Sequence, residues 1–75
     1  MYIEQQVKEL IIATSGIDAG RYDVNSTFES LGMDSLDEIE MIMVAEEVFK
    51  TNIPDRDVES IKTPQMFINY IKTRI

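Results

Sequence analysis

The chain has 75 residues, 44% hydrophobic and 28% charged, with three glycines and two prolines. That is the composition of a folded protein, and the length admits a single domain spanning residues 1–75. A net charge of -7 opposes binding to nucleic acid or to an anionic membrane surface and favours a basic protein partner. Cysteine and histidine are both absent. Their absence excludes disulfides, thiolate zinc sites and a cysteine nucleophile, and it removes the side chain that titrates nearest neutrality, so any acid–base step must come from another protein. A chain this short buries only about 60% of the surface its unfolded form exposes, which leaves little material for a deep catalytic cleft.

From Tyr2 to about Thr14, the residues Ile3, Val7, Leu10, Ile11 and Thr14 recur at three- and four-residue steps, with Glu4, Lys8 and Glu9 between them. This spacing predicts an amphipathic helix that Ser15-Gly16 stops. The chain enters this helix with no basic leader and no long apolar run, which reads as cytoplasmic; a mature organellar form without its leader has the same pattern. A loop of some eighteen residues follows, rich in turn formers (Gly16, Asp18, Gly20, Asp23, Asn25, Ser26), and Phe28 and Leu31 are expected to pin it to the core as a short turn. A second helix should start near Asp34, whose carboxylate can cap a backbone N–H, with Asp37 three residues on, and should run to Phe49 or Lys50. Pro54 to Ile61 supports a short third helix. Thr63-Pro64, an N-cap followed by proline at the first helical position, opens a fourth whose apolar stripe is Met66, Phe67, Tyr70 and Ile71. No segment alternates as a strand. The predicted fold is all-α, a small four-helix bundle of three longer helices and one short helix, with a long loop between the first two.

The second helix carries apolar residues on two sides. At about 100° per residue, Met41, Ala45, Val48 and Phe49 gather on the side expected to enter the core, and Leu36, Ile39 and Met43 gather roughly opposite, with Glu40 and Glu47. Either a neighbouring helix covers this second stripe, or it is an exposed anchor ringed by carboxylates, which suits transient docking. Charge is concentrated in the same region: residues 22–49 hold eight acids and no Lys or Arg, whereas the rest of the chain has six acids and seven bases. Such a run is a solvated face or a docking surface.

Leu31-Gly32-Met33-Asp34-Ser35-Leu36 resembles the attachment motif of acyl carrier proteins, in which Asp-Ser-Leu opens the second helix. The resemblance continues through Phe28-Glu29-Ser30-Leu31-Gly32, Asp37-Glu38-Ile39-Glu40, Glu46-Glu47-Val48-Phe49, Ile53-Pro54-Asp55 and Ile68-Asn69-Tyr70-Ile71, so it covers nearly the whole chain in order. It implies a non-catalytic, monomeric carrier of the fatty-acid type. Ser35 would take 4'-phosphopantetheine from coenzyme A, through a phosphopantetheinyl transferase that supplies magnesium and base. Asp34, Leu36, Asp37, Ile39, Glu40, Met43, Glu46 and Glu47 would form the surface read by acyl-chain synthesis or transfer enzymes. Val48, Arg21 and Arg56 depart from the family's usual acidity at their positions.

The residues give this their own rationale. A serine opening a helix after a glycine-containing loop should be exposed, where N–H groups and the helix dipole favour a phosphate. Asp34 and Asp37 should repel that phosphate from the protein surface and attract the transferase's cations. Ser35 has no base nearby in sequence, so its activation must come from outside the chain. An acyl chain would need an apolar space between the second helix and its neighbours, where the small Ala45 either leaves room or simply packs closely. A calcium loop at Asp23–Phe28 fails, because its sixth position is Phe28 where glycine is needed and its twelfth is Asp34 where glutamate is needed. Loose divalent binding by the acids is expected at most, with no dedicated metal site. Two other functions fit the pattern: a carrier of D-alanyl, other aminoacyl, polyketide or peptidyl groups, and an unmodified acidic interaction module.

Overall fold

The computed structural model describes residues 2–75. It contains α1 (Ile3–Ser15), a 3-10 turn (Ala19–Arg21), α2 (Ser35–Phe49), α3 (Asp55–Ser60) and α4 (Pro64–Lys72), and the described residues form no strand. α1 packs against both α2 and α4. Its buried stripe is Ile3, Val7, Leu10 and Ile11, and Thr14, half-buried, donates its hydroxyl to the Leu10 carbonyl at 2.9 Å. Gly16 ends the helix at φ 73°, a left-handed conformation that glycine adopts without strain, and its N–H donates to the Ile12 carbonyl.

Two buried faces are turned relative to the expected ones. In α2 the core residues are Met41, Ile42, Ala45 and Phe49, while Val48 is 47% exposed. The buried arc is rotated by about 30° away from Val48 and towards Ile42. Between α1 and this side of α2 lies an open depression lined by Leu10, Val44 and Val48. In α4 the buried residues are Pro64, Phe67, Ile68 and Ile71. Met66, expected in that stripe, is 45% exposed, and Tyr70 is half-buried. Ile68 takes the place in the core that Met66 was assigned.

The long loop is fastened rather than free. Ile17, Tyr22 and Val24 pack on the core, and Phe28, Leu31 and Met33 are buried. Two main-chain hydrogen bonds tie it to the α3–α4 connection and to the first turn of α4: Phe28 N–H donates to the Lys62 carbonyl at 3.0 Å, and Gln65 N–H donates to the Val24 carbonyl at 2.9 Å. The Tyr22 hydroxyl is buried without a hydrogen-bond partner among the described residues, and burial pushes its phenol above the ordinary value of 10.0.

α3 is the weakest element. None of its six residues is buried; Ile53 before it and Ile61 after it are. No helix of the described residues is long and apolar enough to cross a membrane.

Candidate functional site

The loop that leads into α2 is built by local hydrogen bonds. Thr27 Oγ1 accepts from Ser30 N–H at 3.0 Å, and the Phe28 carbonyl accepts from Leu31 N–H at 3.1 Å and Met33 N–H at 3.0 Å. This winds Phe28, Leu31 and Met33 inward. Gly32 stands at φ 93°, where a side chain would strain the backbone, and it lets the chain reverse direction just before α2.

Asp34 and Asp37 then form a reciprocal capping box: Asp37 N–H donates to Asp34 Oδ1 at 2.9 Å, and Asp34 N–H donates to Asp37 Oδ2 at 3.3 Å. The two acids thereby define where the helix begins and fix the two residues between them, Ser35 and Leu36. Ser35 is the first residue of α2, and it is exposed. Its own N–H and that of Leu36 have no acceptor within the helix and point along the axis towards the start, where the dipole favours negative charge.

Ser35 lines a cleft of about 320 Å³ between the start of α2, the preceding loop and the α3–α4 connection. Phe28 and Met33 form its apolar part; Glu29, Asp34 and Glu38 contribute three carboxylates and Lys62 one ammonium. Lys62 was not singled out from sequence, because it lies 27 positions from Ser35 and contacts between distant segments, the Phe28–Lys62 backbone bond among them, bring the two together.

Further along α2, Leu36, Ile39 and Met43 are 63%, 55% and 62% exposed, and no helix covers them. Glu40 and Glu47 are exposed beside them. The second apolar stripe is therefore open to solvent. Asp34 is exposed and Asp37 half-buried, both engaged in the capping box. Glu46 is different: half-buried, its Oε2 accepts from Ile53 N–H at 2.8 Å, so its carboxylate holds the α2–α3 connection.

Ala45 is fully buried in the core, and open apolar space along α2 is lined by other residues. A pocket of about 170 Å³ between α2 and α3 is lined by Ile39, Ile42, Met43, Ile53 and Val58, with Glu46 and Asp55 at its edge. Among the described residues no three acids converge closely enough to share a metal ion.

Residues 5–71 match the family model for a phosphopantetheine attachment site. The chain belongs to that family. It is thus a carrier protein whose cofactor is covalently attached 4'-phosphopantetheine. The surroundings of α2's first turn suit such a group. An exposed hydroxyl can form the ester, unpaired N–H groups and an ammonium can face its phosphate, and a cleft with an apolar lining can take the root of the chain. When bound, the arm supplies a terminal thiol that holds cargo as a thioester. The carrier's own residues offer an attachment oxygen, a rigid mount and a surface for other proteins.

Proposed function

We propose that Ser35 is the attachment residue and that the chain is a cytoplasmic, monomeric acyl carrier of the fatty-acid type, presenting acyl groups to synthesis enzymes without catalysing a step itself. The observation that carries this reading is the exposure of Ser35 as the first residue of α2, held between the two capping aspartates and within the matched span. In the attachment step, Ser35 Oγ bonds to the pantetheine phosphorus of coenzyme A, the bond to the nucleotide phosphate breaks, and the hydroxyl proton passes to a base of the transferase. Asp34 and Asp37 each commit one carboxylate oxygen to the capping box, and the base is assigned to the transferase.

The exposed strip of Leu36, Ile39 and Met43 with Glu40 and Glu47 supports docking by enzymes with basic surfaces, the apolar residues giving affinity and the acids steering and register. The acids' concentration along α2 favours an acyl over an aminoacyl cargo. Intact-mass measurement after incubation with coenzyme A and a phosphopantetheinyl transferase tests the assignment. A gain of one pantetheine phosphate, abolished in Ser35→Ala with the helical spectrum unchanged, is the expected result. A protein that stays bare would leave an unmodified acidic module. The thioester recovered from the native host distinguishes acyl from aminoacyl, polyketide or peptidyl loads.

A further inference from the structure

We propose that Lys62 pairs with the phosphate of the arm and holds its root in the cleft between α2 and the α3–α4 connection; this rests on the assignment of Ser35 above. Among the described residues, Lys62 is the only cation lining the cleft that Ser35 shares. The other lining charges are Glu29, Asp34 and Glu38, all repulsive to a phosphodiester anion. A phosphate on Ser35, met on the α2 side by the free N–H groups of the first turn, has Lys62 as its counter-charge across the cleft.

Lys62 is available for this. The ion pairs among the described residues are Lys72 with Glu4 and Arg74 with Asp57, and the Lys8 ammonium lies over the Tyr22 ring. Its backbone is also fixed. The Lys62 carbonyl accepts from Phe28 N–H, and the next residue, Thr63, caps α4 by accepting from Met66 N–H at 3.1 Å. Phe28 in turn holds Met33 N–H, two residues before Ser35. The ammonium thus swings on a flexible stem from a mount set rigidly against the attachment residue, which suits a point-charge contact to phosphate. Phe28 and Met33, on the cleft floor, offer apolar contact to the dimethyl-bearing carbon that follows the phosphate in pantetheine.

The test is NMR on the modified protein, using the arm-bearing fraction of each variant isolated by mass. On attachment, the side-chain signals of Lys62 should shift while those of Lys50 stay. The 31P line should be broad in the unsubstituted protein and in Lys62→Arg. It should narrow in Lys62→Ala, and in the unsubstituted protein at about 1 M salt, where the Debye length is about 3 Å. An adduct on Ser35 with unmoved Lys62 signals, or with a 31P line equal in the unsubstituted protein and Lys62→Ala, overturns the role of Lys62 and leaves Ser35 standing. No adduct by mass overturns both.

Discussion

α3 and α4 are separated by only three residues, yet different forces hold them. α4 is capped by Thr63, begins with Pro64 at its first position and buries Pro64, Phe67, Ile68 and Ile71 in the core. α3 has six residues, too few to persist alone, and buries none of them. Besides Val58, half-buried against the core, and the buried Ile53 and Ile61 at its ends, it depends on polar ties. Glu46 holds Ile53 N–H; the Tyr70 hydroxyl donates to Asp57 Oδ2 at 2.7 Å, and Arg74 pairs with the same oxygen at 3.2 Å. On this difference α4 should open only with the whole molecule, whereas α3 should open by itself and uncover the pocket it shares with α2.

The largest effect that bears on this contrast is in α4. Phe67 is fully buried, and Phe67→Ala should cost about 3–5 kcal/mol, a large share of the stability of a chain this size. Urea unfolding measures it, and a loss below about 1 kcal/mol would erase the distinction. Next is Glu46→Ala, which strands Ile53 N–H in a half-buried position at a cost of about 1–2 kcal/mol. Hydrogen exchange should accelerate more in α3 than in α4. Equal acceleration in both would mean that α3 has no independent opening.

Tyr70→Phe should cost less than about 1 kcal/mol and should also show mainly as faster exchange in α3. Desolvation, and then the hydrogen bond to Asp57, raise the Tyr70 phenol above 10.0. A raised pKa means that the folded state favours the neutral phenol. Its stabilisation is therefore complete below pH 10.0 and is lost as pH climbs through the folded value. Alkaline exchange of α3 should accelerate in the unsubstituted protein more than in Tyr70→Phe; Tyr22, also raised, titrates in both and cancels.

The smallest effect is expected for Glu4→Gln, at the exposed pair with Lys72 that links α1 to α4 at 2.9 Å. The Lys72 hydrogen bond holds the Glu4 carboxyl below 4.5. Its slight contribution is present above that pH and disappears as pH falls through the lower folded value. The gap in melting temperature between the two proteins should close on acidification. A gap that widens would refute the pairing.

Much of this fold is legible in the chain because its boundaries are written in side chains that cap. Asp34 with Asp37, and Thr63 with Pro64, mark the starts of α2 and α4, and Gly16 marks the end of α1. The rotation of the buried faces is not legible. α2 has apolar residues around most of its circumference, so the pattern does not choose between Val48 and Ile42, and only the placing of α1 decides it. The same holds for Met66 and Ile68 in α4. Of the site, Ser35 and the exposed Leu36, Ile39 and Met43 follow from the pattern of α2. The tie from Glu46 to Ile53, and the approach of Lys62 to the cleft, depend on contacts between segments distant in sequence, which no local spacing encodes.

The uninterrupted run of α2 has a consequence of its own. Ser35 and Glu47 are twelve residues apart on one helix, about 18 Å at 1.5 Å per residue. A protein that grips the far end of α2 is thereby given a ruler, since the distance from its grip to the oxygen at the near end is set by helix geometry and does not vary with the load.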